Sequence, residues 1–157
     1  MLYPTSHNKA IARRRNGYKK DREGTGRRVA LYARVSTDKQ SEKYGIPSQV
    51  EALRKVTLGN NWNPVFDGDR DAFIDDGYSG AELDRPALNR LRRVAREGYI
   101  DIVMVYDPDR LSRKLYHQMI LADEFEKQGI KLEFITHDMG TSPEDRMFFN
   151  MRGLTQI

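Results

Sequence analysis

A serine and an arginine two residues apart have a spacing that could support chemistry. Residues 31–40 begin as an apolar, β-prone run and end as a polar turn, with Arg34 inside the run and Ser36 where it stops. Residues two apart in a strand point to the same side, so both side chains should project together at a strand's carboxyl end. A hydroxyl beside a fixed cation suits chemistry at a phosphoester, although a serine at such a place is more often an ordinary turn residue.

A second polar segment, residues 107–113, contains two arginines. Arg110 and Arg113 are three apart, and residues at that spacing share a face on a helical turn. A guanidinium stays protonated and binds two phosphate oxygens with its planar fork. Three arginines around one phosphate, with Arg34 as the third, would neutralise charge as a pentacovalent centre develops. The alternative is a salt-bridged surface loop, and the residues alone leave both interpretations open.

The serine hydroxyl would need activation, because a free hydroxyl is a weak nucleophile. The three histidines, His7, His117 and His137, lie outside both polar segments, so a Ser-His-Asp triad has no support. The remaining candidates for moving the proton are Asp109 and the arginines.

A metal ion could replace the base, but the sequence gives little sign of one. Asp67, Asp69 and Asp71 alternate as in a calcium loop. However, Ala72 stands where the turn glycine belongs, and Tyr78 where the bidentate glutamate belongs. The chain has no cysteine, no histidine–carboxylate spacing typical of zinc, and no Gly-rich P-loop or dinucleotide fingerprint. We therefore expect no metal and no cofactor.

Both polar segments follow predicted strands. Apolar, β-prone runs predict strands at 28–35, 64–66, 72–74, 100–106 and 131–136. Helical spacing, proline starts and glycine stops predict helices at 47–59, 86–97 (with Asp84 as N-cap), 115–128 and from 142 onward. Residues 107–113 are predicted to be a loop. This alternation predicts an α/β fold, with a mainly parallel sheet and helices on both faces. The segments 36–45 and 107–113 should then lie at one edge of the sheet.

The positive charge is concentrated at the amino end. The 157 residues have a net charge of +4, yet residues 1–28 contain 9 of the 27 basic residues and only 2 of the 23 acidic ones. We interpret residues 1–27 as a basic, flexible arm. It could bind phosphates electrostatically, or it could be a solvated, disordered leader.

Length and composition favour one soluble domain. No apolar run approaches the roughly 20 residues that cross a bilayer, and no secretory signal is visible. The absence of cysteine fits a reducing compartment. We expect a cytoplasmic protein with no membrane contact.

The carboxyl end contains an apolar stripe. Met147, Met151 and Leu154 recur at helical spacing. The stripe either packs on this domain or belongs to a longer helix that joins two copies of the chain.

Several motifs in a fixed order resemble one family. They are residues 32–40 (YARVSTDKQ), Gln49 within 47–50, residues 75–80 (DDGYSG), residues 84–86 (DRP) and residues 109–113 (DRLSR). Together they resemble the catalytic domain of the serine recombinase (resolvase/invertase) family. The spacing and residues 142–144 are most similar to the large serine recombinases, which are phage integrases and conjugative transposases.

The resemblance implies a mechanism. Ser36 would attack a DNA phosphodiester, form a 5′-phosphoserine and release a 3′-hydroxyl, before strand exchange within a tetramer and religation. Neither ATP nor a metal would be needed, and the partners would be double-stranded DNA and other copies of the chain. The implied catalytic residues are Ser36, Arg34, Arg110, Arg113, Asp109 and Gln40, with Gln49, Asp75 and Arg85 in support.

The same resemblance implies that part of the family's pattern is missing. Its DNA-binding region and the rest of its last helix would follow residue 157. We therefore expect residues 28–157 to be a truncated catalytic domain that is inactive alone. The alternative function is a non-catalytic dimerisation or synapsis module of the same fold. A metal-dependent nuclease is a third possibility, which the missing ligands count against.

Overall fold

The central element is a buried parallel sheet. A computed structural model describes residues 26–38 and 44–136. Its strands are β1 (Arg28–Val35), β2 (Asn63–Pro64), β3 (Phe73–Asp76), β4 (Ile102–Val105) and β5 (Lys131–Phe134). All four strand pairings are parallel. β1 is central, with β4 and then β5 on one side, and with β2 and β3 along its first and second halves on the other.

Helices cover both faces of this sheet. They are α1 (Ile46–Gly59), α2 (Pro86–Arg96), α3 (Pro108–Leu111) and α4 (Leu115–Lys127). Alternate residues of β1 point to opposite faces. Leu31 packs with Leu53 of α1 on one face, whereas Tyr32 packs with Leu91 of α2 and Phe125 of α4 on the other. The predicted architecture, a parallel sheet between two helical layers, is confirmed.

Some predicted elements were wrong in detail. Residues 107–113 were predicted to be a loop, yet α3 forms there, because Asp107 caps it by accepting a hydrogen bond from the Arg110 amide at 3.2 Å and Pro108 favours a first turn. Asp84 is not the N-cap of α2, since Arg85 occupies that position without a side-chain cap. The observed strands β4 and β5 are shorter than predicted, and β2 and β3 begin one residue away from the predicted starts.

Other predictions fall on the remaining residues. The basic arm, Gln40, the last helix and the apolar stripe lie outside the described residues. Among residues 26–38 and 44–136, no helix combines the length and the apolarity needed to cross a bilayer.

The loop with alternating aspartates joins the two helical layers. Asp67 accepts two hydrogen bonds from Arg90 of α2, both at 2.9 Å. Asp71 accepts two from Arg54 of α1, at 2.6 and 2.7 Å. These carboxylates are therefore partners of arginines on opposite faces of the sheet.

The Asp71–Arg54 pair should make stability depend on pH. Hydrogen bonds from Arg54 lower the pKa of Asp71, while partial burial opposes them. A lowered pKa in the folded state stabilises the fold above the ordinary aspartate pKa of about 4, and this is lost as pH falls through the lowered value. Because the Arg54 side chain is half-exposed, we expect Asp71→Asn to cost at most about 1 kcal/mol at pH 7, and progressively less as the pH falls below the ordinary aspartate pKa of about 4. Urea unfolding across this range would show it, and a cost independent of pH would contradict it.

Candidate active site

Ser36 is the first residue after β1, at the carboxyl edge of the sheet, as the sequence predicts. It is half-buried, and its hydroxyl donates to the Asp38 carbonyl at 3.2 Å. The end of β3 lies directly beside it, because the amides of Gly77 and Tyr78 both donate to the Val35 carbonyl, at 2.9 and 3.0 Å. The candidate nucleophile thus follows a strand end that two main-chain hydrogen bonds hold against β3.

Arg34 points into the protein from the end of β1. It is fully buried. Its guanidinium donates to three main-chain carbonyls, namely Arg110 at 3.1 Å, Tyr78 at 3.0 Å and Asp109 at 2.8 Å. In this arrangement the Arg34 side chain connects the end of β3 to α3.

Gly80 lies between two of the predicted phosphate-binding arginines. A Cβ added there would lie 2.7 Å from Nη2 of Arg34 and 2.8 Å from Cγ of Arg113. The Gly80 carbonyl also accepts the Arg113 amide at 2.9 Å. A side chain at residue 80 would therefore push the two arginines apart, and glycine is needed for this close approach.

Arg110 and Asp109 occupy α3, which brings them to the same edge. Arg110 is buried, with its Nε 3.8 Å from a carboxylate oxygen of Asp107. Asp109 is exposed, and Arg113 is an exposed side chain just beyond the helix. The structure thus brings Arg34, Arg110 and Arg113 together around α3, on the edge where Ser36 lies.

A buried polar chain lies behind these arginines. Asp75 accepts the Tyr32 hydroxyl at 2.7 Å and the amides of Ala87 and Leu88 at 2.8 and 3.0 Å. It therefore caps α2, where negative charge is favoured. Arg85 donates to the Tyr32 hydroxyl at 3.0 Å and to the carbonyls of Arg110 and Leu111.

Burial perturbs two members of this chain. It raises the pKa of Tyr32 well above its ordinary value, and the hydrogen bond to Asp75 adds to the increase while the positive charge of Arg85 opposes it. Burial also lowers the pKa of Arg85, against the attraction of Tyr32 and Asp75. Tyr32 therefore remains a neutral donor at physiological pH.

Gln49 fixes the start of α1 to the end of β1. Its buried amide accepts the Arg34 main-chain N–H at 3.3 Å, and it donates to the carbonyls of Arg34 and Tyr44 at 3.1 and 3.0 Å. The Tyr44 ring lies 4.9 Å from the Tyr106 ring, which follows β4. Partial burial and a hydrogen bond with Tyr44 raise the pKa of Tyr106. This ring contact places the segment 36–45 beside the residue that precedes the segment 107–113.

No group of three or more histidine, aspartate or glutamate side chains is placed to bind a metal within residues 26–38 and 44–136.

The sequence matches a known protein family. Residues 29–156 match the family described as "Resolvase, N terminal domain". The chain belongs to the resolvase family. The resemblance to the serine recombinases, of which the resolvases are members, is therefore confirmed.

Individual relatives and a solved structure support this family assignment. A Bacillus subtilis (strain 168) protein named "Putative DNA recombinase" is 46% identical over 128 residues, which are 80% of this chain and 24% of that protein. The Transposon Tn3 resolvase of Escherichia coli is 34% identical over 114 residues, 73% of this chain and 53% of that protein. The chain thus spans between about a quarter and about half of these relatives. The N-terminal catalytic domain of TP901-1 integrase superposes with a TM-score of 0.67 at 30% identity, covering 83% of this chain and 94% of that one.

Three buried residues of the candidate site were not among the predicted site residues, although two of them, Tyr32 and Ser112, lie within the motifs that carry the family resemblance. They are Tyr32, Ser112 and Gln118. Tyr32 shares a strand face with Arg34 two residues later, which is a signal that could have been used. The Ser112 hydroxyl donates to the Gly80 carbonyl at 3.0 Å, and Gln118 bonds carbonyls on either side of α3. Nothing in the spacing of these last two predicts such contacts.

Proposed function

We propose that this chain is the catalytic domain of a site-specific DNA recombinase in which Ser36 is the nucleophile. The observation that supports this most is the gathering of Arg34, Arg110 and Arg113 at the edge where Ser36 follows β1, in a chain of the resolvase family. A hydroxyl on the same edge of the sheet as three permanent cations suits attack on a phosphodiester.

The proposed reaction keeps the number of phosphoester bonds constant. The Ser36 hydroxyl gives up its proton, and its oxygen bonds to phosphorus as the bond from phosphorus to the 3′ oxygen breaks. The DNA 5′ end becomes a phosphoserine, and the 3′ oxygen takes up a proton and leaves as a hydroxyl. Attack by a 3′-hydroxyl from an exchanged strand reverses the step, so no ATP is consumed.

The arginines would bind the phosphate, and Asp109 is the candidate for proton transfer. Arg113 is exposed and can meet the phosphate directly. Because Arg34 is fully buried, we propose that it binds the phosphate by turning part of its guanidinium from a main-chain carbonyl to a phosphate oxygen, which is a stronger acceptor because it is charged. We therefore propose that the full site assembles when DNA enters.

Other predicted residues would support this site. Gln49 would fix the strand end before Ser36, while Asp75 and Arg85 would hold α2 and α3. Gln40 is assigned on the family resemblance alone. The proposed partners are double-stranded DNA and further copies of the chain, forming a dimer and then a synaptic tetramer, and the proposed location is the cytoplasm. The basic arm would add phosphate contacts.

The test is to capture the covalent intermediate. The full-length gene product, with an affinity tag, is produced in cells that contain the DNA flanking its own gene, and the cells are lysed in denaturant. DNA that stays attached is digested, and tryptic peptides are analysed by mass spectrometry. We expect a nucleotide linked through its 5′ phosphate to the peptide Val35–Lys39, at Ser36. Attachment at another residue, or DNA binding without any attachment, would contradict the proposal, and the second result would favour a non-catalytic synapsis module.

A further inference from the structure

Side chains hydrogen-bond all the main-chain carbonyls of α3 and of the residue after it. Gln118 Nε2 donates to the carbonyls of Pro108 and Ser112, at 3.2 and 2.6 Å. Between them, Arg34 bonds the carbonyls of residues 109 and 110, and Arg85 bonds those of residues 110 and 111. Three buried side chains thus hold one four-residue helix by its main chain.

This attachment matters because α3 is too short to be stable alone. An isolated turn of helix is unfavourable, since nucleation fixes several dihedral angles for one hydrogen bond. The position of α3 determines where Asp109 and Arg110 lie, and it also sets the start of the segment that contains Arg113. The donors behind α3 therefore decide the geometry of the candidate phosphate site.

The hydrogen bonds of the three side chains would change differently during the proposed reaction. If Arg34 turns to a phosphate, the carbonyl of residue 109 loses its side-chain donor, and that of residue 110 keeps only Arg85. The two outer carbonyls have Gln118 as their side-chain donor in either state, and that of Pro108 also accepts the Ser112 amide at 3.0 Å. A glutamine also brings no charge that would compete with the arginines for phosphate.

We propose that Gln118 is a positioning residue that keeps α3 in place while Arg34 is bound to the phosphate. This inference rests on the proposed function. Burial supports it, because Gln118 is only 7% exposed on α4, and a buried amide is costly unless it is hydrogen-bonded. Its neighbours on the buried face of α4, Leu121 and Phe125, are apolar. An apolar residue would pack equally well there if packing were the only requirement.

The test uses Gln118→Met, which keeps the size but removes the donor, and Gln118→Glu, whose carboxylate would face carbonyl oxygens. Gln128→Met is the matched control, because it is the same change ten residues along, just past the end of α4. Losing two hydrogen bonds of ordinary strength should slow formation of the covalent adduct about 5- to 100-fold. DNA binding should stay within about twofold of wild type, and the control should behave as wild type.

Hydrogen exchange on the same proteins without DNA reports directly on α3. The amides of Arg110 and Ser112 bond within this turn. Both Gln118 variants should therefore exchange faster in residues 108–114, with β1 and β4 unchanged. Unchanged exchange in this segment, an unchanged adduct rate, or uniformly faster exchange across the sheet would each overturn the proposal. A wild-type protein that binds DNA but forms no adduct would instead refute the proposed function, and that failure is seen without any variant.

Discussion

Replacing Asp75 with asparagine is expected to destabilise the fold by about 1–3 kcal/mol, the cost of leaving a buried hydrogen-bonding group without its partner. The carboxylate is buried and accepts three hydrogen bonds, from Tyr32, Ala87 and Leu88. An amide keeps one acceptor oxygen and presents an NH₂ group to the remaining donors. At least one buried donor then loses its acceptor, which alone costs about 1–3 kcal/mol.

Charge adds to this effect. Arg85 is buried, and the attraction of Asp75 is one of the influences that keep it protonated. Without the carboxylate, the buried guanidinium would lose the negative charge that lies on the other side of the Tyr32 hydroxyl. Because Arg85 also bonds the carbonyls of Arg110 and Leu111, α3 should loosen as well.

Urea unfolding of Asp75→Asn and Asp76→Asn would measure this. Asp76 is the matched control, since it is the next residue and is exposed at the end of β3. Exposed substitutions usually change stability by less than about 0.5 kcal/mol. A cost below about 1 kcal/mol for Asp75→Asn would mean that the carboxylate is not the acceptor that closes this network.

The sequence was sufficient to predict the sheet, its layers and the edge on which the site lies. Apolar runs and alternation depend on near neighbours along the chain, so they can be seen without a structure. The glycine stops were also visible, and Gly98 and Gly129 adopt the positive φ values, 84° and 73°, that end α2 and α4.

What could not be predicted depends on contacts between residues far apart in the sequence. Asp84 was predicted to cap α2 because it is close in the sequence. The carboxylate that accepts the first amides of α2 is instead that of Asp75, from the preceding strand. Arg34 was predicted to face a phosphate, yet its donors meet carbonyls 44 to 76 residues away. The partners of Gln118 are as close as six residues, but only the turn of α3 brings them within reach. Tertiary packing chooses among such partners, and local patterns contain no information about that choice.

Ser36→Ala is expected to abolish the covalent protein–DNA adduct while DNA binding is retained. The reaction proposed here has no other route to a phosphoserine, so the loss should be complete within detection, and at least about 1,000-fold, as for removal of other activated nucleophiles. Folding should be unaffected, because Ser36 lies outside the buried core, at the carboxyl end of β1, where its hydroxyl donates to the Asp38 carbonyl at 3.2 Å.

Ser79→Ala is the matched control for this experiment. Ser79 is an exposed serine in the segment that follows β3, and its hydroxyl accepts only the nearby Ala81 amide. The DNA recovered in the capture experiment serves as the substrate, and protein trapped on it is run on denaturing gels. These gels should show the adduct for wild type and Ser79→Ala, and none for Ser36→Ala. If the adduct persists without the Ser36 hydroxyl, another group attacks the phosphate. If it disappears in both variants, the segment after β3, which contacts Arg34 through the Tyr78 carbonyl and Gly80, must be part of the reacting site itself.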